Sequence, residues 1–435
     1  MNNFKKIMPY VQWFRTAAPY INNHRDNTFV VVFNSDQIKT RQFSNFIHDI
    51  TLLDSLGVHL VLIFCIQNDI KKKLASLNIK QEYQQEIPII TQQQLVHIKE
   101  LIGSVKIEME SIFSMGLANS PMAGADILTT SGNFITAQPR GIVNGVDLGH
   151  SGIIRNINQT GINQHLTNNH IVIIPTLGYS PTGETFFLDT HELASQTAIQ
   201  LKADKLIFLT EHPDFFSENK LMTRLTLTEA KQLLIGASTE KNHLNSAITC
   251  SEQGVKRTHI IDQNINGGLL VELFTREGIG TLITSEPHKE TYQAKIDDVG
   301  GILKLITPLE EQGVLVKRSR DHLETEIKNY YVIKIDGLII ACAAFYPFTQ
   351  NSVAELACLA IHPEYRNKGY GNHLLKHIEK TAKLLHIQQL FVLTTQTEHW
   401  FRERGFETSE IDQLPIEKQQ LYNYQRQSKI FLKKL

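Results

Sequence analysis

The sequence predicts an α/β protein of two domains, an open αβα sandwich followed by a smaller α+β domain. Short apolar runs alternate with helical periodicity from Thr28 to Ile283, which is typical of a mostly parallel sheet covered by helices on both faces. A polar stretch with one proline, Ser285 to Gln293, suits a linker. Beyond it, strand-like runs meet at Asp336-Gly337, which indicates an antiparallel hairpin.

Composition favours a globular protein without a nucleic-acid or membrane partner. The 435 residues are enough for two or three domains, each with its own core. Lys plus Arg (43) balances Asp plus Glu (44), so no global field attracts an anionic polymer or membrane. We expect a soluble, cytoplasmic chain, because no signal peptide or membrane-length apolar run occurs. No metal-ligand spacing is seen among the four cysteines, Cys65, Cys250, Cys342 and Cys358.

The first predicted domain, residues 1–285, begins with a helix that either packs on its own domain or meets a neighbouring subunit. Its apolar positions before Pro19 are Ile7, Val11, Phe14 and Ala18. Amphipathic helices are predicted later at Phe43–Leu56 and Leu193–Leu201. The predicted strands are apolar runs rich in β-branched and aromatic residues: Phe29–Phe33, Leu60–Cys65, Phe134–Ala137, Ile171–Ile174, Lys205–Leu209, Thr258–Ile261 and Thr281–Ile283.

The second predicted domain, residues 290–435, mixes helices with antiparallel strands. Helices are predicted at Ile296–Leu309 and Lys317–Ile327. The predicted strands outside the central motif are Tyr331–Ile335, Leu338–Tyr346, Leu390–Thr395 and Gln427–Leu432.

The centre of this domain is an apolar run, Leu356 to Ile361, then a glycine-bearing loop, Arg366 to Gly371, and then a helix. Glycines at the mouth of a helix let orphan NH groups of the first turn point into one cavity. Such a cavity favours an anion, and pyrophosphate fits it. An ordinary glycine-containing connection is the alternative. The apolar positions of the following helix are Leu374, Leu375, Ile378, Ala382 and Leu385.

This strand, loop and helix resemble motif A of the GNAT-type acyl-CoA N-acyltransferases. In that family the loop cradles the coenzyme A pyrophosphate and the preceding strand splays to hold the acyl thioester. Three further segments are similar to the bacterial N-acetylglutamate synthase family: Glu355 to Ala357, Thr394 to Phe406, and Leu421 to Lys429. The resemblance implies acetyl-CoA as co-substrate and L-glutamate as acceptor.

The resemblance also implies catalytic roles. Glu355 would remove the amine proton, NH groups near Cys358 and Leu359 would hold the thioester carbonyl, and Thr394 would protonate or solvate the departing thiolate. Cys358 is expected to pack rather than to attack, because direct transfer needs no acyl-enzyme. The alternatives are a surface charge at Glu355 and an ordinary strand former at Thr394.

Binding roles are implied in the same way. Arg318 and Arg320 are expected on a solvated basic face. Coenzyme A binding is implied for Cys358, Leu359, Ile361, Arg366, Asn367, Lys368, Gly369, Tyr370 and Gly371. Binding of the two glutamate carboxylates is implied for Leu315, Lys317, Arg426 and Ser428. Trp400, Phe401 and Phe406 are assigned to the core.

The first domain resembles the amino-acid kinase family from Tyr20 to Ser285. The segments that carry the resemblance are Ser131 to Pro139, Gly178 to Glu184 and Leu201 to Leu206.

Phosphoryl transfer needs charge clamps and close backbone approach to the phosphates. In the family a lysine-bearing strand leads into a Gly-Gly turn, but this chain has Val32-Phe33-Asn34-Ser35 there. The second glycine turn is replaced by Cys65 to Asp69, and His191 stands where the family has a catalytic aspartate. We therefore expect a kinase fold without kinase activity.

Residues Gly267 to Thr281 resemble the arginine-binding segment of arginine-sensitive synthases and kinases. The resemblance implies that Glu272 pairs with a guanidinium and that the backbone from Gly278 to Thr281 takes the amino-acid end. His259 and Tyr20 would close the pocket. The alternative is a simple turn at the glycines with Glu272 as a solvated helix charge.

The combined hypothesis is an amino-acid N-acetyltransferase that acetylates L-glutamate in the first step of arginine biosynthesis, with L-arginine as feedback effector. The resemblance implies a homo-oligomer. An N-acetyltransferase for a different amino acid, or an arginine-responsive sensor without turnover, remains open. An active acetylglutamate kinase is disfavoured by Val32, Asn34 and Ser35.

Overall fold

A computed structural model describes residues 2–38, 40–115, 122–211, 216–217, 220–236, 241–275, 278–284, 291–335, 338–367, 369–420 and 428–435. The chain divides into two compact units, residues 1–287 and 288–435. No helix in these ranges is both long enough and apolar enough to cross a membrane.

The first unit is built on a mostly parallel sheet, as predicted. Among the described residues it has eight strands in the order β16-β18-β17-β13-β1-β2-β10-β5, and only the β17–β18 pair is antiparallel. A second sheet has the order β12-β11-β6-β9. The strands are β1 Thr28–Asn34, β2 His59–Cys65, β3 Tyr83–Gln84, β4 Ile87–Pro88, β5 Leu128–Thr130, β6 Ile135–Pro139, β7 Ile142–Val143, β8 Val146–Asp147, β9 Gly152–Ile157, β10 His170–Ile174, β11 Leu177–Tyr179, β12 Thr185–Phe187, β13 Lys205–Thr210, β14 Phe216–Ser217, β15 Lys220–Leu221, β16 Arg224–Thr226, β17 Arg257–Asp262 and β18 Thr281–Thr284.

Helices cover both faces of this large sheet. Successive residues of β1 alternate between two cores: Phe29 and Val31 belong to one cluster, whereas Val30 and Val32 belong to the other. This two-sided burial explains why the strands read as continuous apolar runs. The helices are α1 Asn2–His24, α2 Arg41–Ser55, α3 Gln67–Ser76, α4 Gln92–Phe113, α5 Gln159–Thr167, α6 Thr190–Gln200, α7 Leu227–Gly236, α8 Lys241–Glu252 and α9 Gly268–Phe274.

The second unit is an α+β domain around one antiparallel-rich sheet. In the described part of this unit the sheet has seven strands in the order β19-β20-β21-β22-β23-β25-β24, and only β22–β23 is parallel. The strands are β19 Thr291–Gln293, β20 Tyr330–Ile335, β21 Leu338–Phe348, β22 Val353–Ile361, β23 Gln389–Thr394, β24 Glu407–Ser409 and β25 Lys429–Lys434. The helices are α10 Val299–Glu311, α11 Arg320–Glu326, α12 Tyr370–Leu384, α13 Glu398–Arg402 and α14 Ile416–Gln420.

Two predicted helix starts, Ile296 and Lys317, were wrong. Residues Ile296–Asp298 form a 3-10 turn, and α10 begins at Val299. Helix α1 continues through Pro19 to His24, whose ring nitrogen lies 2.8 Å from the Leu273 carbonyl oxygen. Helix α11 begins at Arg320 rather than Lys317, because the Ser319 hydroxyl accepts a hydrogen bond from the His322 amide and caps the helix. The predicted Asp336-Gly337 turn lies outside the described residues.

Candidate active site

Strand β22 separates from its neighbour β23 partway along its length. In the described residues the two strands pair from Val353 to Glu355 only. On the other side, the register with β21 shifts opposite Ala343, and Cys358 takes a left-handed φ of 52°. A bulge of this kind takes backbone groups out of the ladder. The sheet therefore opens where the sequence analysis expected the thioester carbonyl.

Glu355 lies at the start of this opening and is 4% exposed. Its strand partners are Tyr346 on β21 and Phe391 on β23. The Lys418 ammonium lies 2.6 Å from the Glu355 carboxylate. The alternative interpretation, a surface charge, is wrong, because a buried carboxylate needs a partner and Lys418 supplies it.

The glycine-bearing loop joins β22 to α12 with a left-handed backbone. Asn367 has φ 63° and Gly369 has φ 81°, and no described side chain caps the first turn of α12. Successive amides in such a geometry form an anion-binding concavity. Arg366 and Asn367 are exposed beside it. Tyr370 is buried against Tyr365, with the ring centroids 5.6 Å apart.

The remaining predicted coenzyme residues fall into two groups. Leu359 and Ile361 are half-buried on the far half of β22. Lys368 lies outside the described residues.

A tryptophan fixes the position of this loop. A Cβ atom on Gly371 would lie 2.9 Å from Cζ2 of Trp400 and 3.0 Å from Cδ1 of Ile361. The Arg404 guanidinium stacks 4.0 Å from the Trp400 ring centroid, and Nη1 donates to the Trp400 carbonyl oxygen at 2.7 Å. Its Nε also donates to Asn372 Oδ1 at the start of α12. Phe401 and Phe406 are buried in the core, as predicted.

Two thiols lie at the bulge. The Cys342 thiol donates to the Cys358 carbonyl oxygen at 3.7 Å, and both side chains are buried. A separate side-chain hydrogen bond with the Cys342 thiol lowers the pKa of the Cys358 thiol, against the effect of burial, and the charge of Arg318 also lowers it.

The two adjacent cations before α11 differ in burial. Lys317 is exposed, whereas Arg318 is half-buried. Burial alone would lower the pKa of Arg318, but the nearby Cys358, Tyr330 and Tyr346 groups raise it. The expectation of a solvated basic face was therefore wrong for Arg318. It holds for Arg320, which is exposed and pairs with a glutamate on its own helix.

The other predicted substrate residues are only partly described. Leu315 is half-buried in the core beside α10, and Ser428 is buried at the start of β25. Arg426 lies outside the described residues.

Thr394 ends β23 with its hydroxyl engaged in a turn. Its Oγ1 accepts hydrogen bonds from the amides of Thr397, at 3.1 Å, and Gln396, at 3.4 Å. It also lies 2.8 Å from the Thr397 hydroxyl. These contacts give Thr394 a structural role, because its hydroxyl stabilises the turn that follows β23.

Lys418 and Arg318 are functional candidates that the sequence analysis missed. Lys418 pairs with Glu355, which is distant in sequence, and Arg318 is half-buried before α11. A lysine on a polar helix and an arginine in a basic run carry no periodic signal that marks them as inward-facing. Arg318 could have been found only from the Ser319 helix cap, which fixes where α11 begins.

In the first unit, Glu272 is buried rather than solvated. Its Oε1 lies 2.7 Å from His259 Nδ1, and its Oε2 accepts from the amides of Ile279 and Gly280 at 2.8 and 2.9 Å. Burial alone would raise the pKa of Glu272, but His259 and these two amides outweigh it and lower the pKa to about 2. A Cβ atom on Gly278 would lie 2.4 Å from Oε2, so this position requires glycine.

His259 contacts Glu272 through Nδ1, and burial lowers the pKa of its imidazole, against the effect of Glu272. Its Nε2 has no hydrogen-bond partner among the described residues. The other expected effector residues surround this pair less closely. Tyr20 is half-buried with its ring 6.4 Å from that of His24. Thr281 is buried, and its hydroxyl donates to the Met222 carbonyl oxygen at 2.8 Å.

The positions of the missing kinase turns hold a polar network of their own. The Ser35 hydroxyl lies within hydrogen-bond distance of two acceptors, the Cys65 carbonyl oxygen at 2.8 Å and the Asp69 carboxylate at 2.5 Å. Asp36 pairs with Lys72 at 3.6 Å. His191 stacks on Phe208, with the ring centroids 5.4 Å apart. Two carboxylates thus lie where the family's turns approach phosphate.

Comparison with known proteins agrees with both units. The Amino acid kinase family matches residues 27–262, and the Acetyltransferase (GNAT) family matches residues 301–406. The amino-acid acetyltransferase of Pseudomonas syringae pv. syringae is 46% identical over 98% of this chain and 99% of its own length. The chain belongs to the amino-acid acetyltransferases. The Azotobacter vinelandii acetyltransferase is 45% identical with the same coverage.

Two solved structures resemble this acetyltransferase along nearly its whole length. Both are N-acetylglutamate synthase from Neisseria gonorrhoeae, and each covers 98% of this chain and 99% of its own. The complex with coenzyme A and L-arginine has a TM-score of 0.89 at 34% identity. The complex with coenzyme A and N-acetyl-glutamate has a TM-score of 0.63 at 35% identity.

Proposed function

We propose that this acetyltransferase transfers the acetyl group of acetyl-CoA to the α-amine of L-glutamate, the first step of arginine biosynthesis, and that L-arginine regulates it. The observation that carries the proposal is the pairing of a buried carboxylate, Glu355, with a backbone bulge at Cys358 on the same strand. A proton acceptor and a backbone site that can hold the thioester carbonyl therefore lie three residues apart along β22. The synthase complexes with coenzyme A and N-acetyl-glutamate support the choice of substrates.

Glu355 acts as the general base. It takes a proton from the α-ammonium of glutamate, directly or through one water, and leaves a neutral amine. The amine nitrogen attacks the acetyl carbon, the carbon–sulfur bond breaks, and the departing thiolate of coenzyme A takes up the proton that the nitrogen loses on becoming an amide. The NH groups of Cys358 and Leu359 stabilise the oxyanion that forms on the acetyl oxygen. No acyl-enzyme is needed, so Cys358 serves by its backbone.

Acetyl-CoA binds with its pyrophosphate on the loop before α12. The left-handed backbone at Asn367 and Gly369 directs amide donors towards the anion, and the α12 dipole adds to them. Arg366 contributes a charge from the exposed side of the loop. Close packing of Trp400 on Gly371 keeps this loop against the sheet.

Arg318, rather than Lys317, takes a glutamate carboxylate, because its side chain is half-buried whereas Lys317 is exposed. An arginine fork binds a carboxylate bidentately and so suits this role better than a lysine. Ser428, buried just before β25, also binds a glutamate carboxylate. Arg426 is assigned to the second carboxylate by resemblance alone.

L-Arginine binds in the first unit beside Glu272 and His259. Three of the roughly four acceptor positions of the Glu272 carboxylate are already used, so it offers one hydrogen bond to a guanidinium rather than a bidentate pair. The Nε2 atom of His259 has no partner among the described residues, and in the tautomer that donates from Nδ1 to Glu272 it is a second acceptor. The synthase complex with L-arginine supports this assignment.

The first unit regulates without phosphoryl transfer. The carboxylates of Asp36 and Asp69 stand where a kinase needs donors for phosphate, and like charges repel.

The first unit also carries a self-association surface on α1. There Tyr10, Trp13 and Phe14 are 74%, 48% and 60% exposed. Large exposed apolar side chains on one helix are typical of protein interfaces, and a homo-oligomer is the simplest partner.

The test is a panel of amino acids incubated with acetyl-CoA, with products identified by mass spectrometry. We expect N-acetylglutamate as the main product, and Glu355→Gln to lower kcat about a hundredfold or more while the KM for acetyl-CoA stays the same. A different acetylated amino acid would replace the glutamate assignment. Full activity in Glu355→Gln would remove Glu355 from the mechanism.

A further inference from the structure

The ion pair between Lys418 and Glu355 joins the base of the reaction to a residue with no role so far. The Lys418 ammonium is 2.6 Å from Glu355 Oε2, and its side chain is 27% exposed against 6% for Glu355. The lysine therefore reaches from the rim of the site into its interior. Its ammonium lies against Glu355, the general base, in the position that a protonated substrate amine must take.

The placement of Lys418 is built into the packing around Glu355. Helix α14 follows Leu414, which is 4% exposed and packs in one cluster with Val353 and Phe391. Phe391 is the β23 partner of Glu355, so α14 is held beside that carboxylate. The Gln419 side chain donates to the Leu414 carbonyl oxygen at 2.8 Å and fixes the turn between them.

A second contact holds the ammonium itself. Lys418 Nζ lies 5.9 Å from the ring centroid of Tyr346, the β21 partner of Glu355. The Tyr346 hydroxyl donates to Glu326 at 2.6 Å, which fixes the ring. Carboxylate and ring together define one position for the charge.

We propose that Lys418 selects α-amino acids by exchanging partners when the substrate binds, an inference that rests on the proposed acetyl transfer to glutamate. The substrate ammonium displaces Lys418 from Glu355. In an α-amino acid the carboxylate is attached to the same carbon as the amine, so it arrives next to the displaced lysine. Lys418 then pairs with the α-carboxylate, and Glu355 is left with the amine that it must deprotonate.

This exchange discriminates by charge. An α-amino acid restores an ionic partner to both protein groups, whereas an amine without the α-carboxylate takes Glu355 and leaves Lys418 without a partner. Leaving one charge of a buried pair uncompensated is costly. Lys418 is thus a specificity residue for the α-carboxylate, separate from Arg318.

The test compares L-glutamate with 4-aminobutanoate, which keeps the amine and the distal carboxylate but lacks the α-carboxylate. In the full-length enzyme, Lys418→Met should lower kcat/KM for L-glutamate about thirtyfold, the loss of one charge-assisted contact. For 4-aminobutanoate the same substitution should leave kcat/KM unchanged or raise it, because a competitor for Glu355 is removed. Where turnover of 4-aminobutanoate is too slow to follow, its inhibition constant against L-glutamate gives the same comparison.

Two variants serve as controls. Lys418→Arg keeps the charge and should retain most of the selectivity for L-glutamate over 4-aminobutanoate. Lys380→Met removes an exposed lysine from α12 and should leave kcat/KM unchanged for both substrates.

Equal losses on both substrates would overturn the exchange and reduce Lys418 to a structural ion pair. An unchanged kcat/KM for L-glutamate in Lys418→Met would overturn it as well. Failure of the wild-type enzyme to use L-glutamate is a separate result that refutes the proposed substrate. The comparison would then be made with the accepted α-amino acid and its decarboxylated amine.

Discussion

Substitution of Gly371 by alanine tests how the glycine-bearing loop, Arg366 to Gly371, depends on the core that packs against it. The added Cβ would meet Trp400 Cζ2 at 2.9 Å and Ile361 Cδ1 at 3.0 Å, so one of the neighbours must move. Trp400 is the less able to yield, because the Arg404 guanidinium stacks on its ring and donates to its carbonyl oxygen. We therefore expect the loop to move away from its binding geometry.

The size of the effect follows from overpacking. Inserting one methyl group into a close-packed site costs roughly 1 to 3 kcal/mol, and every 1.4 kcal/mol is about a factor of ten in affinity. If the strain is taken from coenzyme binding, the KM for acetyl-CoA rises about tenfold. The turnover number should change little, because Glu355 and the bulge at Cys358 are untouched.

The assay is release of coenzyme A followed at varied acetyl-CoA with saturating amino acid. Gly300→Ala on α10 is the matched control, because a Cβ atom there meets nothing within 4 Å. Combining Gly371→Ala with Trp400→Phe removes the clashing indole atom and should restore much of the affinity. An unchanged KM in Gly371→Ala, or a double variant no better than the single one, would refute the packing argument.

Two further predictions concern the first unit. Glu272→Gln removes the charge beside His259. The L-arginine concentration needed to alter activity should therefore rise about tenfold or more. An unaltered arginine response in steady-state assays would exclude this site. Burial raises the pKa of Asp49 from 3.8 to about 7. The folded chain therefore keeps a proton that the unfolded chain releases between these values, and stability falls as pH rises through that window. Asp49→Asn should add roughly 4 kcal/mol to the free energy of unfolding near pH 8, at about 1.4 kcal/mol per pKa unit, and far less near pH 4, measured by urea titration, and an equal gain at both pH values would contradict this.

The sequence predicted the large sheet well because its strands are buried on both faces. Runs such as those of β1 and β2 are apolar and buried at every position except their ends, so their location needs no knowledge of distant residues. The glycine-bearing loop could also be predicted from sequence, because its glycines are required by the local backbone conformation. Gly369 is left-handed at the start of a helix, and only local geometry is involved.

Side-chain placement at the site depended on tertiary contacts and was harder to predict. With the start of α11 at Arg320 rather than Lys317, Arg318 is the half-buried one of two adjacent cations and Lys317 is exposed. The burial of Glu272 and its bond to His259 join a helix to a strand, and the pairing of Glu355 with Lys418 spans much of the second unit. Neither pairing follows from periodicity or spacing along the chain.

The most direct test of the account is release of coenzyme A from acetyl-CoA by the full-length protein, with and without L-glutamate and then with added L-arginine. We expect release that depends on L-glutamate and changes when L-arginine is added. Release that ignores L-arginine would keep the catalytic assignment and contradict the effector site beside Glu272. No release with L-glutamate would contradict the central claim.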